Sequence, residues 1–243
     1  MYSHPHYALS DHLRGVEQLS SLFLSEKSVR LTEPERLKKI NRWIALFHDI
    51  GKSHDFFQQY IQSPDTFQGP PAIKSHALLS AVILAAFLQE KDVDEFWRLL
   101  AFLVVKRHHG NLDDWLEELK RMGEEAKALV KRQVEATNFS VLAQQMACFD
   151  FGQEVIWTKE VWSTWVEKFF AEARSLRRFI MKWNRSNKSL IPYLQVLFLF
   201  SLLIDADKSE AGILQKRSWS FSMRNAIPAD LVQRYKQQQS WNK

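Results

Sequence analysis

Eight histidines occur in this 243-residue sequence, at positions 4, 6, 12, 48, 54, 76, 108 and 109, so the last 134 residues have none. The pairs His48-Asp49 and His108-His109 set a second ligating side chain directly beside a histidine. Imidazole is the commonest metal ligand and the usual acid or base near neutral pH. The single cysteine, Cys148, rules out an intramolecular disulfide and a multi-cysteine zinc site, and a reducing, cytoplasmic setting is the default. A metal would therefore be held by imidazole nitrogen and carboxylate oxygen. That donor set suits manganese, iron, cobalt, nickel or zinc without choosing among them. Two such ions roughly 3.5 to 4 Å apart activate water and stabilise the attacking and leaving oxygens of a phosphodiester. The reaction class to which these residue types point is metal-assisted phosphoester hydrolysis.

The elements that must position them read as helices almost throughout. Alternating β-branched runs and Asn-Gly or Asp-Gly hairpin signals are absent, and seven Gly with seven Pro is sparse for a turn-rich β protein. With 46% apolar residues there is ample material for a core. The first helix starts near Ser10, with His12 in its first turn and Leu13, Val16, Leu19 and Phe23 on one face. Thr32-x-x-Glu35 reads as a capping box with Pro34 behind it, and Leu37, Ile40, Ile44 and Phe47 line a face until Gly51 supplies a stop. His48 and Asp49 then occupy the last turn. After a polar loop over 62–72, a third helix starts near Ser75 with His76 in its first turn and Leu78 to Leu88 as its body. A fourth starts near Asp92 or Asp94, buries Leu99 to Val105, and ends at Gly110 with His108 and His109 in its last turn. Residues 112–135 read as one charged amphipathic helix with a Glu117–Arg121 pair, and further helices are expected over 139–149, 159–183, 190–208 and 228–239.

No linker or repeat divides these elements. The expected fold class is all-α, a single compact domain over 1–243 whose core spans about 4–208 and whose residues 209–243 form a helical extension or linker. His12 and His76 begin helices, whereas His48, Asp49, His108 and His109 end them, and helix ends can converge on one pocket. A helix N-terminus disfavours imidazolium, leaving the neutral ring a metal needs. Adjacent residues on a helix point about 100° apart, so each pair would aim in two directions, as a cluster of two metals would use.

The string His48-Asp49-Ile50-Gly51-Lys52 resembles the core motif of the HD superfamily of metal-dependent phosphohydrolases. The order around it is narrower: His12-Leu13, then HDIGK with Phe57-Gln58, then Lys74-Ser75-His76, then His108-His109-Gly110, then Ala206-Asp207. Together these resemble the HD nuclease domain of the CRISPR-associated helicase-nuclease of type I systems, over about residues 4–208. The resemblance implies a compact helical HD fold with metal ligands at His12, His48, Asp49, His76, His108, His109 and a late aspartate. That aspartate would be Asp207, with Asp205 as the alternative. It implies that Asp49 bridges the ions and that Lys52 faces the scissile phosphate. It further implies cleavage of single-stranded DNA, endonucleolytic and then processive, with one or two divalent transition-metal ions. The partners it implies are a superfamily 2 helicase in cis or in trans and a CRISPR RNA-guided surveillance complex. The runner-up is an HD nucleotide phosphohydrolase or cyclic-dinucleotide phosphodiesterase, which Phe57-Gln58 and His108-His109 disfavour. A non-catalytic module of the same fold is a third reading, disfavoured by the complete ligand set.

Other signals carry less. Residues 173–190 hold six Lys or Arg and no acid, whereas the whole chain carries a net charge of only +5. Arg174, Arg178, Lys182 and Arg185 share a face with Phe179 and Trp183 interleaved. This would suit tracking a phosphate backbone and stacking a base, or equally a solvated face over a core stripe. Trp157, Trp162 and Trp165 read as core, Cys148 as a buried thiol, and His4, His6 and His54 as surface or capping groups. Gly51-Lys52-Ser53 looks like the tail of a phosphate-binding loop, but Leu46 stands where that motif needs glycine. The N-terminus has no apolar signal-peptide segment. Leu190 to Ile204, interrupted by Pro192, Gln195 and Ser201, reads as a buried helix and not a membrane span.

Overall fold

The computed structural model describes residues 1–27, 33–153, 155, 157–186 and 189–215. Helix dominates them, as the periodicity predicts. An unpredicted exception is an antiparallel hairpin of β1 (Tyr2–His4) and β2 (Tyr7–Ala8), pairing Tyr2 with Ala8 and His4 with Tyr7. These strands are too short to show alternation, and His6 makes their turn at φ 62° without an Asn-Gly signal. The helices follow as α1 (Leu9–Glu26), α2 (Pro34–Phe47), α3 (Asp55–Gln62), α4 (Pro71–Lys74), α5 (Ala77–Glu90) and α6 (Glu95–Arg107). After these come α7 (Trp115–Lys120), α8 (Glu124–Glu135), α9 (Phe139–Met146), α10 (Lys159–Ser186) and α11 (Ile191–Gln215). Residues Met1–Ala211 form one compact unit; a second covers Gly212–Lys243, of which only the end of α11 is described. The helix expected over 228–239 lies outside the described residues, as does Thr32 of the expected capping box.

The core is built around α5, which is buried on every side from Ala77 to Leu88, as an apolar helix without a polar face must be. Against it pack α2, α6 and α10, and α1 covers α2. Phe47 of α2 stacks on Phe87 of α5 at 4.9 Å between ring centres, and Trp43 meets Phe87 edge-on at 4.7 Å. Phe102 of α6 packs on Phe169 of α10 at 5.0 Å. Trp157, Trp162 and Trp165 are buried, as expected.

Several local expectations are corrected. The stretch 112–135 is two helices, because Gly123 breaks it and Glu124 and Glu125 restart it in a favourable first turn. Arg121 pairs with Asp113 (2.9 Å) and Glu118 (2.5 Å), not with Glu117, which pairs with Lys120. Cys148 is exposed: α9 ends at the buried Met146 and the next two residues turn outward. The first turn of α11 is exposed too, at Ile191, Tyr193 and Leu194, and only from Gln195 onward does the helix enter the core. The loop over 62–72 is shorter than expected, because Pro64–Thr66 form a 3-10 turn and α4 starts at Pro71. Among the described residues, no helix is long and apolar enough to cross a membrane.

The turn after α2 differs from the expectation in an informative way. The helix stops at Phe47, His48 is its C-cap, and a 3-10 turn runs from Ile50 to Ser53. Gly51 therefore does not end the helix, and no glycine among the described residues has a positive φ. Its role is close approach. A Cβ at position 51 would lie 2.4 Å from the carbonyl oxygen of His76 and 2.9 Å from Ser80 Oγ, and the Gly51 N–H donates to that hydroxyl at 2.9 Å. Only glycine lets this turn lie directly on the start of α5.

Candidate metal centre

The ends of four helices and one late helix face meet at Asp49. His12 comes from the first turn of α1, His48 from the C-cap of α2, His76 from the N-cap of α5, and His108 from the C-cap of α6. His109 is one residue further on. Asp49 itself has left the helix, at φ −113° and ψ 7°, in the bridge region where many active-site residues sit. The expectation that His48 and Asp49 share a last turn is thus corrected: the departing backbone, not helical spacing, sets where Asp49 points.

Two groups of potential ligands share this aspartate. On one side, Asp49 Oδ2 lies 3.0 Å from His12 Nε2 and 3.5 Å from His48 Nε2. Asp207 Oδ1 lies 3.5 Å and 3.7 Å from the same two nitrogens. On the other side, Asp49 Oδ1 lies 2.8 Å from His76 Nε2 and 3.3 Å from His108 Nε2, and His109 Nε2 is 2.9 Å from His76 Nε2. Ligand atoms within each group all lie within 4.8 Å of one another. His109 is exposed, whereas the other six residues are buried. Asp205, the alternative late aspartate, is exposed on the outside of α11.

Three features fit the centre to metal ions. The Nδ1–H of His48 donates to the Ala45 carbonyl at 2.7 Å, and that of His108 to the Val105 carbonyl at 2.6 Å. Such bonds fix the tautomer that leaves Nε2 free to ligate. Both Nε2 atoms are buried without a hydrogen-bond partner, an arrangement that costs free energy unless something else occupies the space. Three buried carboxylates, Asp49, Asp207 and Glu210, meet here, while among the described residues Lys52 is the only Lys or Arg side chain in contact with them.

Electrostatics follow the same arrangement. Burial alone would raise the Asp49 carboxyl, but the charge of Lys52, Nζ 2.5 Å from Oδ2, and the neighbouring histidines hold it well below the usual range. Asp207 also lies below that range, its burial outweighed by His48. Burial pushes His76 down to about 3 against the pull of Asp49, so its ring is neutral, as its place at a helix start suggests. His12 goes the other way. Burial opposes the shift, yet hydrogen bonds to Asp49 and Glu210 push it up to about 9, so two carboxylates outweigh the helix-dipole argument.

The shell around the ligands explains further motif residues. Phe57 meets His76 edge-on at 5.2 Å. Gln58 donates to the carbonyls of Lys52 (2.7 Å) and Tyr2 (2.9 Å) and accepts from the Tyr2 N–H (2.9 Å), tying the hairpin to the 3-10 turn. Arg107 braces the His108-His109 corner through Asp113 at 2.6 Å and the buried Glu118. The sequence reading missed Glu210, which accepts from His12 Nδ1 at 2.6 Å. It also set aside His4, whose half-buried ring packs against His12 at 5.1 Å.

His54 is a capping group, as expected, but a fully buried one: its Nδ1 accepts the Phe57 N–H at 3.1 Å. Burial lowers it to about 4 from an ordinary 6.5. The folded protein therefore refuses a proton that the unfolded chain binds below pH 6.5. This stability is complete above pH 6.5 and is lost as pH falls toward 4, by about 1.4 kcal/mol per unit and roughly 3 kcal/mol in all. His54→Asn keeps a capping acceptor but does not titrate. In chelator, wild-type melting temperature should fall more steeply than that of His54→Asn between pH 6.5 and 4.5; parallel curves would refute the assignment.

Arg174, Arg178, Lys182 and Arg185 are all exposed on α10, and none has an ion-pair partner among the described residues. The aromatic residues between them are occupied: Trp183 stacks on Phe96 at 5.3 Å and meets Trp115 edge-on, while Phe179 packs on the core. The base-stacking part of the expectation is therefore corrected: the exposed face carries the four cations and Met181, while the aromatic rings pack on the fold.

Comparison with known proteins agrees with this geometry. The family model described as Cas3, HD domain, matches residues 7–201. The CRISPR-associated nuclease/helicase Cas3 of Haloferax volcanii is 30% identical over 149 residues, which is 59% of this chain and 16% of that relative. No solved structure matches. Asp207 and Glu210 lie beyond the matched residues, so their place in the centre rests on geometry alone. A matched region of this extent, carrying the HDIGK turn and the histidines gathered around Asp49, assigns the chain to the Cas3 HD domain family.

Proposed function

We propose that this chain is a metal-dependent nuclease that hydrolyses phosphodiester bonds of single-stranded DNA in type I CRISPR interference. One observation carries the reading: the two oxygens of the buried Asp49 face two different ligand groups, His12, His48 and Asp207 on one side and His76, His108 and His109 on the other. A carboxylate so placed suits a bridge between two ions. Bound there, divalent transition metals would polarise water and stabilise charge developing on phosphate oxygens. Manganese, iron, cobalt, nickel and zinc all suit the donor set.

The protein's own groups would do the rest. The carbonyl-anchored His48 and His108 hold their Nε2 atoms in place before any ion arrives. Lys52 stands at the edge of the centre with an ammonium that would turn from Asp49 toward a phosphate and offset charge in the transition state. The exposed His109 marks the open side by which substrate would reach the ions. Arg174, Arg178, Lys182 and Arg185 offer a row of exposed cations, unpaired among the described residues, that suits a nucleic-acid backbone.

The aligned region makes up only 16% of the Haloferax relative, whose name joins a nuclease to a helicase. We place the chain accordingly beside a superfamily 2 helicase, in cis or in trans, in the cytoplasm, with strand delivery by an RNA-guided surveillance complex. The test is to incubate the purified chain with circular single-stranded DNA and manganese, cobalt or nickel, beside nucleotide and cyclic-dinucleotide substrates. Linearisation followed by degradation is expected. Intact circles with every metal, alongside consumption of a nucleotide, would move the chain to the phosphohydrolase reading.

A further inference from the structure

We propose that Glu210 is a positioning residue of the metal centre, orienting His12 toward the ion that His12, His48, Asp49 and Asp207 would share. The inference rests on the metal-centre reading above and extends it to a residue outside the ligand set. Glu210 follows His12 by 198 positions, yet its Oε2 lies 2.6 Å from His12 Nδ1 in a buried contact. With Nδ1–H donated to this carboxylate, Nε2 is left directed at Asp49 and Asp207, 3.0 Å and 3.5 Å away. A carboxylate behind a ligating histidine fixes its tautomer and raises its basicity.

The surroundings show that this space is kept for the carboxylate. A Cβ on Gly15 would stand 2.8 Å from Glu210 Cγ and 3.2 Å from Oε1, so a bare backbone on α1 admits the side chain. Burial and the nearby Glu210 carboxylate raise the Tyr7 phenol of β2, so that neighbour keeps its proton on the hairpin side of the site. Glu210 is only 5% exposed, and acidic side chains are almost never so deeply buried without a partner that needs them. On α11 it stands one turn beyond Asp207, so one helix face supplies both a direct ligand and the support for a second.

His12 then differs in kind from the carbonyl-anchored histidine present in each ligand group. Histidines 48 and 108 lean on backbone carbonyls, whereas His12 leans on a full negative charge. Loss of Glu210 should therefore weaken the His12 side and leave the His76, His108 and His109 side nearly unchanged.

The experiment is equilibrium dialysis of the metal-free full chain against manganese, with cobalt absorption spectra as a second readout, for wild type, Glu210→Ala and Glu210→Gln. Outer-shell partners of ligating histidines typically contribute about 10- to 100-fold in affinity. Glu210→Ala is expected to lose that factor in one binding step only, with an altered cobalt spectrum. Glu210→Gln, whose amide oxygen still accepts from Nδ1–H, should fold like wild type and lose less. Wild-type affinities in both variants, even with a lowered melting temperature, would reduce Glu210 to a packing role and overturn the inference. If wild type itself takes up no ion, the metal-centre reading fails, a result distinct from binding that is merely insensitive to Glu210.

Discussion

Replacing Asp49 by alanine should abolish uptake of every ion at the centre and lower DNA cleavage by about a thousand-fold or more, since a metal-stabilised transition state is worth several kcal/mol. The expectation follows from position: Asp49 is the only residue common to both ligand groups, so neither half survives its loss. A second effect must be separated from the first. Lys52 is 6% exposed and its ammonium rests on Asp49, and removing one partner of a buried pair costs about 3 to 5 kcal/mol because the other charge is left behind. Asp49→Ala should therefore also melt at a lower temperature without metal. The double variant Asp49→Ala with Lys52→Met removes the orphaned charge, and should regain much of that stability while binding no metal and cutting no DNA. Cleavage or two-ion binding that persisted in a folded Asp49→Ala protein would contradict the shared-aspartate arrangement.

The convergence around Asp49 was legible because each motif marks a helix boundary. His12 follows the start of one helical pattern, His76 precedes another, and Gly110 closes the one that ends in His108. Boundaries of buried helices must lie near the surface of the core, where polar groups can gather. The role of Gly51 was not legible. A glycine four residues past a helical face reads as a stop, and only the position of the His76 carbonyl shows that the missing Cβ is what matters.

Glu210 was hidden for a different reason. A lone glutamate among polar residues near the end of a helix is ordinary surface composition. Two weak signals existed: its i,i+3 spacing from Asp207, which places both on one face, and Gly15 inside the α1 pattern, where a helix-interior glycine is costly and asks for a packing reason. The break at Gly123 was visible in the same way, as a glycine followed by paired acids suited to a first turn. The exposed start of α11 could not be read, because an apolar run is equally compatible with burial and with an uncovered face.

The late aspartate offers the second large effect, and it divides the centre. Asp205 and Asp207 lie about 200° apart around α11, and only Asp207 turns inward, with Oδ1 3.5 Å and 3.7 Å from Nε2 of His12 and His48. Asp207→Asn should cost one ion, not both, because His76, His108, His109 and Asp49 stay intact; cleavage should fall about a hundred-fold, since roughly 2.7 kcal/mol corresponds to that factor. Asp205→Asn, on an exposed side chain, should stay within about twofold, as surface changes usually do. Metal content by mass spectrometry of the dialysed proteins, read beside cleavage rates, decides the matter. Full ion content and undiminished cleavage in Asp207→Asn would remove α11 from the centre, and with it the reason for Glu210 to stand behind His12. Loss confined to Asp207 would establish that a helix without a single histidine completes a site otherwise built from histidine-bearing helix ends.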